Sequence, residues 1–273
     1  MSHPQRPVIG FLTDFGLDGA AATCRAVMLS ICRDAQIIDI AHTVGKYAIA
    51  DGAYILAMAL PYFPVGVHLA VVDPGVGTPR RPVAVQARRG DVLIGPDNGL
   101  LVPAADELGG IAGARKLTNP DWWLPAASST FHGRDVFAPV AAHLAAGSAT
   151  FESLGPPLAP PSLERLPRVE PSVVDGALHT EVVYVDSFGN VRLAGSRGDL
   201  VAILGSEGAA VTVAIGDGTR REVRFARTFG EVTEGQALLY VDSSGHPALA
   251  TSRGNFASTS GARRGDRVVI APA

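Results

Sequence analysis

Apolar residues in the first half of the chain fall into short β-type runs, each closing on a polar or glycine-rich cluster before a helical pattern begins. The runs are PVIGFL before Thr13, Asp14, Phe15 and Gly16; QIIDI before Ala41, His42 and Thr43; VHLAVV before Asp73, Pro74 and Gly75; and DVLIG before Pro96, Asp97, Asn98 and Gly99. Between and after them, the patterning predicts helices over residues 19–33, 51–60 and 135–147, with Asp51 as an N-cap and Pro61 as a stop. Such alternation is the signature of an α/β domain with a mostly parallel sheet. In sheets of that kind ligands bind outside the carboxyl ends of the strands, so Asp14, Asp73 and Asn98 are expected to share one cleft.

The pattern then changes. Residues 154–167, LGPPLAPPSLERLP, are dense in proline and follow neither period, which reads as a connection between domains. From about residue 178 the chain offers short alternating strands (TEVVYVD, NVRLA, AAVTVAI, REVRFA, ALLYVD, PALAT, DRVVIA) with turn signals between them, among these Gly216-Asp217-Gly218. Closely spaced strands of this type predict a small all-β barrel or sandwich. The expected organisation is an α/β domain over 1–160, a proline-rich linker region over 161–175 and a β-barrel domain over 176–273.

Composition narrows the function. At 273 residues with 47% hydrophobic content, two ordinary cores are within reach. A net charge of −3 and the lack of any Lys/Arg-rich run leave no basic field for nucleic acid, so the implied partner is a small molecule. Cys24 and Cys32, eight apart in a predicted helix, fit reduced buried thiols better than a disulfide framework or metal site. The most apolar window is interrupted by Pro61, Pro64 and His68, and the first residues lack a signal-peptide core. A cytoplasmic protein without membrane association is the expectation.

Candidate chemistry concentrates in a few loops. A single acid at a strand end has the ordinary use of accepting N–H bonds from its own turn, and a single histidine is usually structural. VVDPGVGTPRR, however, offers Asp73 and Arg80, while TFHGRD places His132 just before a predicted helix. If these three converge, they can hold a water or hydroxide: Arg80 favours negative charge, and Asp73 and His132 orient it or accept its proton. The alternative is an Asp73–Arg80 pair that only ties down its turn. No phosphate-binding loop or dinucleotide fingerprint appears, and TDFG lacks every other kinase element. In the second half, VDSFGN, DSSG and TSRGN carry acids, amides and an aromatic ring of the types that read and stack on a purine, but also of the types that hairpin turns require.

Taken together, TDFG, VVDPGVGTPRR, GPDNG, TFHGRD, VDSFGN and DSSG resemble the S-adenosylmethionine hydroxide adenosyltransferases, adenosine-forming hydrolases related to fluorinase and chlorinase; the motifs run from residue 8 to about 270. The resemblance implies an N-terminal α/β domain, a C-terminal barrel, and a homotrimer with active sites between neighbouring subunits. It also implies SN2 attack of activated water at the 5′ carbon of the substrate, with no cofactor and no metal. By position, Asp73, Arg80 and His132 match the catalytic triad, and Asp14 the acceptor of the ribose diol. Tyr47 matches an aromatic beside the ribose, and Asn98 lies in the nucleoside loop. Asp18, Asp186 and Ser243 resemble methionine-binding positions, and Phe188, Asn190 and Phe229 adenine-binding ones.

Fluorinase has a tyrosine where this chain has Asp73, a threonine at Val76 and a serine at Gly133; chlorinase shares the glycine at 133 but also has the tyrosine. A carboxylate repels a halide and accepts a proton from water, so halide transfer is disfavoured. The rival readings are a nucleoside-binding regulatory protein that turns nothing over, and a metal-dependent hydrolase using Asp14, Asp73 and His132 as ligands.

Overall fold

The computed structural model describes residues 6–216 and 219–273, so Asp217 and Gly218 of the predicted turn lie outside the described residues. The chain divides into two compact units, Met1–Leu166 and Pro167–Ala273.

The first unit is built on a seven-stranded sheet of β1 (Val8–Thr13), β2 (Gln36–Ala41), β3 (Val67–Val71), β4 (Pro82–Ala87), β5 (Val92–Pro96), β6 (Ile111–Lys116) and β7 (Pro157–Leu158). The order across the sheet is β2-β1-β3-β5-β4-β6-β7. Strands β2, β1, β3 and β5 pair in parallel, whereas β4 and β7 run against their neighbours. The helices are α1 (Ala20–Ile31), α2 (Ile49–Ala59), α3 (Val102–Glu107) and α4 (Ala138–Ala145). Side chains alternate between two covered faces, which explains why β1 and β3 are buried throughout and apolar but for Thr13 and His68. Ile9, Phe11, Val67, Leu69 and Val71 point to the core shared with Cys24 and Met28 of α1 and Val140 and Ala141 of α4. Leu12, Ala70 and Val72 point the other way, to Ala53, Leu56 and Ala57 of α2. Burying each of the larger side chains stabilises the fold by about 1.5–3 kcal/mol.

Helix ends differ from expectation in detail. Helix α2 starts at Ile49 with Ala48 at its cap, so Asp51 sits inside the first turn, where its charge still complements the helix dipole. Pro61 lies within a 3₁₀ turn, Leu60–Tyr62, that finishes the helix. The element expected from residue 135 begins as a π-helical turn, Gly133–Phe137, and becomes α-helical at Ala138. Much of the proline-dense stretch is built into the first unit. Pro157 and Leu158 form the edge strand β7 on β6, Leu163 is buried, and the Glu164 N–H donates to Asp97 Oδ1 at 2.9 Å. An edge strand tolerates proline because one side of it needs no ladder donor.

The second unit contains β8 (Ser172–Val174), β9 (Ala177–Val185), β10 (Val191–Leu193), β11 (Ala210–Ile215), β12 (Thr219–Phe225), β13 (Ala237–Val241), β14 (Pro247–Thr251) and β15 (Arg267–Pro272), with α5 (Arg197–Leu204) and α6 (Phe256–Ser260). The strands run in the order β10-β14-β13-β12-β11-β15-β9, and pairing of β9 with β10 closes them into a seven-stranded barrel flanked by β8. Alternate residues such as Val182, Val213, Phe225, Leu239 and Ile270 fill its core. Closure removes the exposed edges that an open sheet of this size would carry.

Candidate active site

In the first unit the parallel register sets the site. Thr13 at the end of β1 lies beside Val71 at the end of β3, and the ladder continues through a 3.4 Å bond from Asp14 N–H to the Val71 carbonyl. Asp14 and Asp73 therefore leave neighbouring strands at the same end of the sheet. A cleft of about 250 Å³ opens there, lined by Asp14, Tyr47, Asp73, Phe131, His132 and Gly133 among others.

Asp73 and Arg80 form a bidentate pair with both side chains more than nine-tenths buried. Arg80 Nε donates to Asp73 Oδ1 at 3.0 Å, and Arg80 Nη2 donates to Asp73 Oδ2. The same Nη2 lies 3.3 Å from His132 Nδ1. Guanidinium only donates, so His132 Nδ1 is the acceptor and the proton of the neutral ring sits on Nε2. The Arg80 guanidinium stacks 5.2 Å from the centre of the Phe137 ring, and its Nη1 is buried with no hydrogen-bond partner among the described residues. Burial, and then the positive charge of Arg80, push the His132 pKa below its ordinary value. The π turn that follows keeps His132 in place: Asp135 is buried, pairs with Arg134 at 2.6 Å and accepts from Ser128 N–H at 2.9 Å. Wide turns of this type often occur where a side chain must be aimed.

Asp14 Oδ2 accepts the backbone N–H of Tyr47 at 2.9 Å. Tyr47 takes the left-handed conformation, with φ of 65°, which costs an ordinary residue about 1 kcal/mol or more. The charge-assisted bond to Asp14 offsets that strain, and the ring is left exposed at the cleft.

Sequence reasoning gave no role to Phe15, Lys46, Thr130 or Phe131, all of which line the cleft. Phe15 and Phe131 meet edge to face at 5.6 Å, and their presence in otherwise polar loops was the available signal. A β-carbon added to Gly133 would sit 2.8 Å from the tip of the Phe15 ring, so glycine is what lets that ring close over the turn. Three candidate residues of this unit do not line the cleft: Asp18, Asn98, and Arg80, which lies behind Asp73 and His132. Asp18 is exposed in the loop before α1. Asn98 is committed to backbone, its Nδ2 donating to the Val72 carbonyl at 2.9 Å and its Oδ1 accepting from Leu100 N–H at 3.2 Å.

In the second unit the candidates occupy three turns. Asp186 Oδ1 accepts from the Phe188 and Asn190 N–H groups and its Oδ2 from Asn190 Nδ2, each at 2.9 Å, which leaves the Phe188 ring exposed. That turn packs against residues 255–257, where Ala257 N–H donates to the Gly189 carbonyl at 3.0 Å. Ser243 is exposed in the turn between β13 and β14, which lies against residues 195–197 at the other end of the β10–β14 ladder. Phe229 stands half exposed, 5.1 Å from the Tyr240 ring.

An α/β unit that gathers a buried Asp–Arg pair and a histidine beside its strand ends, joined in one chain to a closed β-barrel, defines a two-domain protein with a cleft suited to a small polar molecule. The chain belongs to the S-adenosylmethionine (SAM) hydroxide adenosyltransferase family, whose N-terminal domain matches residues 9–155 and whose C-terminal domain matches residues 180–269. It is 46% identical to the (R)-S-adenosyl-L-methionine hydrolase of Salinispora arenicola over 97% of each chain. It is 30% identical to the fluorinase of Nocardia brasiliensis over 94% of each. A solved structure described as an uncharacterized conserved protein from Thermotoga maritima superposes with a TM-score of 0.90 at 34% identity, covering 96% of this chain and 99% of that one.

Proposed function

We infer that this protein hydrolyses S-adenosyl-L-methionine to adenosine and L-methionine. The observation that carries the reading is the buried Asp73–Arg80 pair with His132 against it at the cleft, a carboxylate standing where a halide-transferring site needs none. Its relatives named (R)-S-adenosyl-L-methionine hydrolase support it over nearly the whole chain, and support the (R) sulfonium epimer as the substrate.

The chemistry asks little of the leaving group. A water oxygen bonds to the 5′ carbon as the carbon–sulfur bond breaks, and the bonding pair returns to sulfur, which leaves as the neutral thioether of methionine. The demand falls on the nucleophile, because bulk water has a pKa of about 15.7 and neutral solution holds little hydroxide. Arg80 supplies permanent positive charge beside the developing hydroxide, and His132 Nε2–H orients its oxygen. The water's proton passes to Asp73, whose carboxylate retains lone pairs beyond those that Arg80 occupies. Asp14 and Tyr47 hold the ribose, and residues of the barrel unit, Asp186, Phe188, Asn190, Phe229 and Ser243, hold methionine and adenine, as the family resemblance implies. The same reading takes the protein to be a cytoplasmic homotrimer that needs no cofactor. Among the described residues, no helix is long and apolar enough to cross a membrane.

Product analysis tests the reading directly. Incubation with either sulfonium epimer, with and without chloride and with chelator present, is expected to give adenosine and methionine in equal amounts, faster from the (R) epimer. A 5′-chloro nucleoside would make the protein a halogenase. Tight nucleoside binding with no product would make it a binding protein, and loss of turnover in chelator would make it a metal enzyme.

A pH profile gives a second check. The His132 pKa is lowered, so the ring is neutral at neutral pH and gains its proton only below the ordinary histidine value of 6.5. Protonation removes the Nδ1 lone pair that faces Arg80 and sets two cations side by side. The kcat is therefore expected to be level above pH 6.5 and to fall as pH drops through the lowered value, with that limb missing in His132→Gln. A limb centred above pH 6.5 would rule this out.

A further inference from the structure

Thr13 closes an otherwise apolar strand, VIGFLT, and is fully buried. Valine has almost the same shape and no hydroxyl to desolvate, so packing alone gives no reason for threonine there. The hydroxyl has two partners. It accepts from the Phe15 N–H at 3.2 Å and lies 2.9 Å from His42 Nδ1. The other ring nitrogen of His42, Nε2, lies 3.0 Å from Asp39 Oδ1, and Asp39 receives Arg25 through Nε at 2.9 Å and Nη2 at 2.6 Å. In a neutral imidazole the nitrogen that faces a carboxylate carries the proton, so Nε2–H donates to Asp39 and Nδ1 accepts from Thr13. Every member of the chain then has a defined direction, from the Arg25 and Asp39 pair at the surface to the Phe15 amide beneath the cleft.

The rest of His42 acts on the same loop. Its carbonyl accepts the Gly16 N–H at 2.7 Å, and its ring packs edge-on to Phe11 at 4.6 Å. The pairing of β1 with β2 shifts register between Phe11 and Leu12, just before Thr13, and this irregularity accompanies the fold-back of His42 onto Asp39. The amides of Phe15 and Gly16, the two that follow Asp14, are thus both fixed by groups that His42 supplies or orients.

We propose that Thr13, His42 and Asp39 form a positioning chain that sets the loop bearing Asp14 and Phe15, and so controls substrate capture without taking part in the chemical step. The proposal rests on the hydrolase reading for its kinetic consequence. None of the three residues lines the cleft or touches the Asp73–Arg80–His132 cluster, which separates their role from that of the triad.

The test compares Thr13→Val, Thr13→Ser and His42→Ala in the full-length chain. Loss of one buried charge-linked chain is expected to raise KM for S-adenosylmethionine roughly tenfold in Thr13→Val and His42→Ala, with kcat within about twofold, while Thr13→Ser restores the wild-type KM. Amide hydrogen exchange at Phe15 and Gly16 is expected to accelerate in the same two variants and not in Thr13→Ser. Wild-type KM and exchange in Thr13→Val would overturn the proposal, and so would a fall in kcat alone. If Thr13→Val does not fold, Asp39→Ala at the exposed end of the chain is read for the same rise in KM and in exchange, and unchanged values overturn the proposal. Absence of turnover in the wild-type protein would defeat the hydrolase reading instead. Exchange rates, with calorimetric affinity for adenosine, would then decide the positioning chain independently.

Discussion

Asp73→Asn is expected to lower the single-turnover rate of adenosine release by about a thousandfold, the scale on which one preorganised electrostatic group acts. The substitution keeps the shape and removes the charge. Arg80 then remains in a buried site with its countercharge gone and with Nη1 still lacking a partner among the described residues. The proton acceptor for the attacking water is lost at the same time. Breaking a buried ion pair by removing one partner destabilises by about 3–5 kcal/mol, so the melting temperature should fall as well. Far-ultraviolet circular dichroism and a thermal melt separate the two effects, because a folded but inactive variant isolates the chemistry. A rate within tenfold of wild type in folded Asp73→Asn would remove Asp73 from the mechanism and reduce the pair to a brace for its own turn.

The largest stability effect is expected at the opposite end of the same strands. His68 and Asp91 are completely buried near the starts of β3 and β5, with His68 Nε2 2.9 Å from Asp91 Oδ1. Asp91 also accepts from Arg89 at 2.7 and 2.9 Å and from Gly66 N–H at 3.3 Å, while Arg89 reaches the Leu60 and Pro61 carbonyls that end α2. Gly10 makes room for this cluster, since a β-carbon there would come within 2.6 Å of His68 Nδ1. Against the opposing effect of burial, Arg89 and His68 hold the Asp91 carboxyl well below the usual carboxylate range. Its contribution is therefore complete above the ordinary value of 3.8 and disappears as pH falls through the depressed one. Asp91→Ala leaves His68, Arg89 and the Gly66 amide without their acceptor, and a loss of about 3–5 kcal/mol in denaturant unfolding at neutral pH is expected. A loss under about 1 kcal/mol would show that water satisfies these groups. Whatever remains folded should keep its KM, because the cluster sits at the amino ends of strands whose carboxyl ends bear the cleft.

These two clusters also show what a linear reading can and cannot find. Asp73 and Arg80 are seven residues apart around a glycine turn, so their meeting needed only local geometry. Asp14 shares their cleft because strand ends in a parallel sheet open on one side, a rule that patterning alone could apply, whereas His132 comes from the loop before the π turn and its meeting with Arg80 could only be posed as a condition. His68, by contrast, lay inside an apolar run and looked like an interruption of it; its partner Asp91 is 23 positions on and belongs to a different strand. Thr13 and His42, 29 apart, were hidden for the same reason. Asn98 was placed correctly at a strand end, yet its amide turns back to the backbone, a choice of rotamer that composition does not encode. The proline-dense segment was read from what proline cannot do inside a sheet, while the edge position of β7 permits it.

The fit of Phe15 against Gly133 ties two loops of the cleft together. Glycine to serine at 133 needs one nucleotide substitution from a GGT or GGC codon, but the new β-carbon meets the tip of the Phe15 ring at 2.8 Å, so that ring has to swing aside or give way to a smaller side chain. Because Phe15 follows Asp14 directly and also meets Phe131 edge to face, one added carbon beside His132 is felt across the cleft in the loop of Asp14.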